Sequence, residues 1–320
     1  MNSYAQFSTL NQFGLLRFSG ADAQAFLQGQ VSCDIAALNP LQATYGSYNT
    51  PKGRMLASFL LWRAGADYFM QLPRVLCEPI RKRLSMYILR SKVQAVDVST
   101  AQVLFGLSGD GIDAALAAAG LPAPAARLTM AEAAGAWVLR LDASRCAIVV
   151  PAERAAQIEE LLKKEAIPAA EAAWDRATIL AGVPVITPAT QEEFVPQMAN
   201  LDLIGGISFS KGCYPGQEIV ARMHYLGKLK QRMVLAHVEV AEPPRAGDKL
   251  YSAETGDQAS GAIVNAAPAP NGGFDVLAVV QASSLGAVTV KLGSPTGPAL
   301  QMLPLPYPLE AKELPKTTPN

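Results

Sequence analysis

No C-x-x-C pair occurs in this chain, and its four cysteines, Cys33, Cys77, Cys146 and Cys213, lie far apart. That spacing argues against a disulfide framework or a zinc site and points to a reducing, cytoplasmic compartment. Histidine is scarce too. With only His224 and His237, the chain is expected to build no metal site by itself. The net charge is zero, so no global field draws the protein to nucleic acid or to an anionic membrane. Direct nucleic-acid binding is therefore not expected, although a local basic patch stays open. Met1 is not followed by a basic segment and a long apolar stretch, so no signal peptide is expected. The longest apolar runs, such as Met55–Trp62, are far too short to span a bilayer, so no membrane partner is expected. No Ser-His-Asp order, P-loop or H-E-x-x-H motif is present.

What is present suits a multidomain α+β protein. The 320 residues predict two or three domains, and 50% hydrophobic content supplies sizeable cores. Leu15–Gly20 reads as a strand and turn, followed by a helix over Ala23–Gln30. Tyr45–Tyr48 and Gly53–Trp62 read as strands paired around an Asn49–Gly53 turn, and Pro79–Arg90 as a basic helix. Near residue 102 the strand–Ser-Gly–acid–helix pattern returns, with Ser108-Gly109 echoing Ser19-Gly20. After Arg232 the chain turns to short strands separated by turns, the mark of a small all-β barrel or sandwich. The expected organisation is a first α+β unit over 1–100 and a second over 101–206. A motif helix and connector over 207–232, a C-terminal β-barrel over 233–310 and a loose tail over 311–320 complete it.

Lys211-Gly212-Cys213-Tyr214-Pro215-Gly216-Gln217-Glu218 carries the most chemistry. Gly212, Pro215 and Gly216 are breakers, and a helix is expected from Glu218. A cysteine beside a cation and near a helix start is biased toward the thiolate, the form that attacks electrophiles and ligates metals. The alternative is a small buried apolar cysteine. Arg222, His224, Lys228, Lys230 and Arg232 form a basic run behind the motif, either a field acting on Cys213 or a solvated domain junction. Arg81, Lys82, Arg83 and Arg90 make the Pro79–Arg90 helix either a polyanion-binding face or a solvated one. Gln197, Asn200 and Asp202 offer amides and a carboxylate to a heteroaromatic ring, or simply cap turns.

The stretch from Pro196 to Met223, with its K-G-C-Y-x-G-Q-E core, resembles the signature of the YgfZ-type folate-binding proteins. The likeness extends to Arg17–Gln30, Ala181–Pro184 and Tyr225–Arg232. That family is similar in fold to the aminomethyltransferase (T-protein) of the glycine cleavage system. The resemblance implies two interlocked α+β units of ferredoxin-like type and a β-barrel around a central channel that binds tetrahydrofolate. It further implies a link to synthesis or repair of iron–sulfur clusters and to cluster-dependent tRNA methylthiotransferases. Iron–sulfur client proteins or cluster carriers are then the expected partners. Carried over by position, Cys213 and Lys211 are the key pair, with Gly212, Tyr214, Gly216, Gln217, Glu218 and Arg222 completing the motif. Asn49, Gln197, Asn200 and Lys211 are the expected folate contacts, and Cys213 is a candidate transient cluster ligand.

Two departures from the aminomethyltransferase stand out. Its catalytic acid is missing from Arg54–Phe59, where Leu56 and Ala57 stand, and Leu180 stands where it has a folate-contacting Glu. An aliphatic side chain relays no proton, so the usual aminomethyl transfer is not expected. A folate-dependent one-carbon transferase or demethylase with an unusual acid, and a tRNA-binding module, are the rival readings.

Overall fold

The computed structural model describes residues 5–225, 229–254, 256–284 and 289–309. Lys228, Thr255 of one expected turn, Ala287 at the start of an expected strand and the tail over 311–320 lie outside the described residues. Two compact units emerge. Unit 1 holds residues 1–46 and 59–177, and unit 2 holds residues 47–58 and 178–320.

In chain order the elements of unit 1 begin with β1 (Ala5–Thr9), β2 (Phe13–Ser19) and α1 (Ala23–Gln28). β3 (Ala43–Asn49) and β4 (Met55–Ala64) enter and leave the short segment that belongs to unit 2. β5 (Asp67–Pro73), α2 (Arg74–Ser85), β6 (Gln94–Asp97), β7 (Gln102–Ser108) and α3 (Ile112–Ala118) follow. β8 (Thr129–Ala133), β9 (Ala136–Asp142), β10 (Arg145–Pro151), α4 (Ala152–Leu162) and β11 (Ala166–Pro168) complete it, and the last residues of α5 (Glu171–Leu180) already belong to unit 2. One sheet has the order β11-β1-β7-β10-β9-β8, the other β3-β4-β5-β2-β6. Among the described residues of the first sheet, β1 pairs with β11 in parallel and its other pairings are antiparallel. Its alternate residues Phe105, Leu107, Val138, Cys146, Ile148 and Val150 face Ile112, Leu116, Ile158 and Leu162 from α3 and α4. This is the period-two pattern of a strand packed under helices at period 3.6. The two Ser-Gly turns recur as expected: Gly20 and Gly109 both have positive φ and precede α1 and α3.

The basic helix differs from its expected span. It runs over Arg74–Ser85, with Pro79 inside it, rather than Pro79–Arg90. An interior proline costs about 3 kcal/mol through its missing N–H and its ring. Burial of Leu76, Cys77, Ile80 and Leu84 on one face offsets that cost, at roughly 1.5–3 kcal/mol per large side chain. The short strands β1, β8 and β11 were not anticipated either.

Unit 2 carries α6 (Gln217–Tyr225), β12 (Gln231–Val238), β13 (Lys249–Ser252), β14 (Gly261–Pro268), β15 (Phe274–Gln281), β16 (Val290–Leu292) and β17 (Gln301–Leu303). The strands form one antiparallel sheet, β16-β13-β14-β15-β12-β17. Both faces are buried, which is why its strands read as near-continuous apolar runs. Val234, Ala236, Val276, Ala278 and Val280 point into one cluster. Met233, Leu235, Leu277 and Val279 point into another, together with Met55, Ile186, Phe194, Leu201 and Val220. The second cluster seats the long loop that precedes α6 on the sheet. That loop contains every motif residue except those on the helix.

His237 on β12 stands between two carboxylates, with Nδ1 3.0 Å from Asp275 Oδ1 and Nε2 3.1 Å from Glu239 Oε1. The Asp275 hydrogen bond, opposed by partial burial and aided by Glu239, raises its pKa above the usual 6.5. A raised folded-state pKa adds stability that is complete below the unfolded value and lost as pH rises through the folded one. Unfolding midpoints of unit 2 should therefore fall as pH rises from about 6 through the raised value. His237→Gln should flatten that segment of the profile. Parallel profiles for the two proteins would refute the assignment.

Candidate functional site

The motif residues are positioned by a close backbone contact. The turn after β3 is closed by Thr50 N–H donating to Arg54 O at 2.8 Å and Gly53 N–H donating to Thr50 O at 2.9 Å. Gly216, at φ +79°, enters α6 directly against that turn. A Cβ on Gly216 would lie 2.5 Å from Thr50 O and 2.6 Å from Gly53 Cα. Only glycine fits both the conformation and the approach. Gly53, itself at φ +72°, in turn meets Ile219 of α6. The P-G step of the motif is thus the docking point of the Asn49–Gly53 turn. Thr50 and Gly53, read from the sequence only as parts of a turn, are thus positioning residues.

Upstream of that contact, Lys211 and Tyr214 are both buried. The Lys211 ammonium sits 5.1 Å from the centroid of the Tyr214 ring, a cation–π geometry. Gln217 Nε2 donates to Lys211 O at 3.3 Å, tying the helix start back to the lysine. Cys213 stands between them and is exposed, whereas Cys33, Cys77 and Cys146 are buried. Burial, the largest cause in each case, pushes the thiols of Cys77 and Cys146 up to about 12, which leaves them inert. The expected helix after the motif is present: α6 begins at Gln217, one residue before the expected Glu218, and Cys213 precedes it by four residues. Gly212 is exposed, and an added Cβ there meets nothing within 4 Å. Glu218 and Arg222 are exposed on α6, the acid in its first turn and the base in its last, a placement that complements the helix dipole.

The expected folate contacts separate into two kinds. Asn200, at φ +57° and fully buried, donates from Nδ2 to Met233 O at 2.8 Å. Its amide also meets Tyr307 Oη at 3.4 Å, and that hydroxyl donates to Gly182 O at 2.7 Å. Asn200 therefore latches the loop to β12 and to the C-terminal segment at Tyr307. Gln197 donates from Nε2 to Val220 O at 2.6 Å, and its Oε1 is buried with no hydrogen-bond partner among the described residues. Asn49 is 2% exposed, and neither Oδ1 nor Nδ2 has a hydrogen-bond partner among the described residues. Such groups are rare in native interiors. A heteroaromatic ring with paired donors and acceptors fits the unused capacity of Asn49 and Gln197, but not the amide of Asn200, which is already engaged. Tyr307 carries the clearest signal that went unread, as the lone aromatic in the proline-rich C-terminal stretch.

The basic run also divides. Arg232 is fully buried and forked onto Asp202 by contacts of 2.8 and 2.9 Å, with Nη1 donating to Gln197 O at 2.6 Å. It is a buried cation paired with Asp202. His224 stacks on Phe209 with ring centroids 3.8 Å apart, while Arg222 and Lys230 are exposed. Leu56 and Ala57 are buried, and Leu180 packs against the unit 2 core. No carboxylate replaces the acid at these positions. Among the described residues, no group of three His, Cys, Asp or Glu side chains could hold a metal ion. No helix among them is long and apolar enough to cross a membrane.

These sheets and the glycine-seated loop define an α+β protein with the aminomethyltransferase fold. The structure of the glycine cleavage system aminomethyltransferase T from Bartonella henselae superposes with a TM-score of 0.75, covering 95% of this chain and 86% of that one at 19% identity. The chain is 31% identical over 304 residues to the tRNA-modifying protein YgfZ of an Escherichia coli strain, covering 94% of this chain and 93% of that protein. The same identity and coverage hold for the YgfZ protein of Shigella boydii. The chain therefore belongs to the YgfZ family of tRNA-modifying proteins. No protein-family model matches it.

Proposed function

We propose that the protein is a tetrahydrofolate-binding accessory factor for synthesis or repair of iron–sulfur clusters, supporting cluster-dependent enzymes such as tRNA methylthiotransferases. The observation that carries the proposal is the exposure of Cys213 alone among four cysteines, on a loop whose backbone is fixed by Gly216 against Gly53. In this reading the α+β part is built of two interlocked ferredoxin-like units, and folate occupies a central channel. Asn49 and Gln197 would hold the ring through their unused amide atoms. Lys211, braced on Tyr214, is the motif's cation, two residues before the thiol in sequence. Bound tetrahydrofolate would supply one-carbon or redox chemistry. Cys213 would either ligate a cluster transiently, with the other ligands coming from a client or carrier, or perform thiol chemistry that protects one. The aliphatic Leu56, Ala57 and Leu180 weigh against one-carbon transfer as the main activity.

The test is cellular. Cells whose only copy is Cys213→Ala should lose most tRNA methylthiolation, while the purified variant keeps the wild-type melting temperature and folate affinity. Normal methylthiolation in those cells would sink the role of the thiol.

A further inference from the structure

Zero net charge conceals a segregation. Residues 74–92 hold Arg74, Arg81, Lys82, Arg83, Arg90 and Lys92 against Glu78 alone. This surplus of five positive charges is balanced by an equal acidic surplus over the rest of the chain. Because α2 buries Leu76, Cys77, Ile80 and Leu84, its cations fall on the flanks and the outer half. Glu78 engages Arg81 at 2.8 Å and Lys82 at 3.3 Å. Among the described residues, Arg90 and Lys92 form no side-chain ion pair.

Beyond Ser85 the chain makes a tip of turns that exposes large apolar side chains in succession. Met86 is 65% exposed, Tyr87 46% and Leu89 87%. Leu89 is also held at φ +46°, a conformation costly for a bulky residue and characteristic of sites that bind. Beside the tip runs an open groove of about 710 Å³, lined by Asp22, Tyr87, Ile88, Leu89, Arg90 and Ser91. That volume is in the range of ligand-binding clefts. Its one acid, Asp22, accepts the backbone N–H of Lys92 on Oδ2 at 2.7 Å.

We propose that the outer face of α2 and the tip over residues 86–92 form an RNA-docking surface, with the cations tracking phosphates and Tyr87 stacking on an unpaired base at the groove. A cationic track beside an exposed aromatic is the pattern that binds single-stranded and looped nucleic acid. A protein partner fits less well. Protein interface cores are depleted of charge, and a partner would need a run of carboxylates as dense as a phosphate backbone. The surface lies in unit 1 and uses no residue of the Cys213 motif, so it stands or falls separately from the proposed thiol chemistry.

Fluorescence anisotropy of a labelled, unmodified tRNA transcript with the full chain tests the proposal. Binding should weaken as salt rises from about 50 to 200 mM. Arg90→Glu/Lys92→Glu should lower affinity roughly tenfold or more and make the log–log salt slope shallower by about two. Tyr87→Ala should lower it several-fold with the slope unchanged. Melting temperatures equal to wild type would exclude misfolding, since all three side chains are exposed. Absence of binding at low salt, or unchanged affinity in the double charge variant, overturns the assignment. Displacement of the tRNA by a polyglutamate peptide at equal charge concentration also overturns it, giving the surface to an acidic polypeptide.

Discussion

Arg232→Met should destabilise unit 2 by about 3–5 kcal/mol, because it strands a carboxylate that has little access to water. Arg232 is 2% exposed, and the Asp202 side chain is only 13% exposed. Both Asp202 oxygens are satisfied by the guanidinium, at 2.8 and 2.9 Å. The same Nη1 donates to Gln197 O, so the substitution also leaves a buried carbonyl without its cation. Gln197 and Asn200 both lie on the loop that leads to the motif, and both depend on β12, through Arg232 and Met233 O. The loss should therefore extend from the sheet to the site. Asp202→Leu added to Arg232→Met should recover part of the loss, since replacing both partners of a buried pair costs less than breaking it. The measurement needs care over which unit reports. Trp62, Trp137 and Trp174 all belong to unit 1, so tryptophan fluorescence follows that unit. Urea unfolding followed by far-UV circular dichroism should show an earlier transition in Arg232→Met, with the fluorescence midpoint much less changed. A common shift in both signals would mean that the units unfold as one.

The sequence made some of this legible and hid the rest for physical reasons. The Ser-Gly turns, the strands on either side of the Asn49–Gly53 turn and the short strands after Arg232 follow local rules, in which alternation and breakers decide the outcome. The start of α2 did not, because Pro79 is a strong stop signal that a buried face overrides. β1, β8 and β11 escaped notice because strands of three to five residues carry too few side chains for a period to show. At the site, the motif pointed to Cys213 and its neighbours, but nothing in it announced that Gly216 is shaped by a turn more than 150 residues earlier. Arg232 shows the reverse error. In one dimension it continues a basic run, while in three dimensions it is the most buried of that run's described members. Likewise Asn200 and Gln197 looked alike as loop amides, yet one is consumed by the fold and the other retains a free acceptor. Only pairing partners distinguish such residues, and pairing is a tertiary property.

The two glycines of the motif should respond oppositely to the same substitution. Gly216→Ala forces a Cβ to within 2.5 Å of Thr50 O at φ +79°. The conformational cost is about 1 kcal/mol, and the backbone overlap adds roughly 1–3 kcal/mol because no flexible side chain can yield. A total loss of about 2–4 kcal/mol is expected, together with displacement of the loop that fixes Cys213. Gly212→Ala meets open space and has no positive φ, so its stability should stay within about 0.5 kcal/mol of wild type. The comparison has a second readout in the rate at which an aromatic disulfide reagent modifies Cys213, since the other three thiols are buried. Gly216→Ala should change that rate, because the loop loses its seat on Gly53. In Gly212→Ala the rate should be nearly unaltered. Any loss of cellular tRNA methylthiolation in Gly212→Ala would then report a partner or ligand that approaches the open side of residue 212. Equal destabilisation by the two substitutions would contradict the seating of the motif on the Asn49–Gly53 turn.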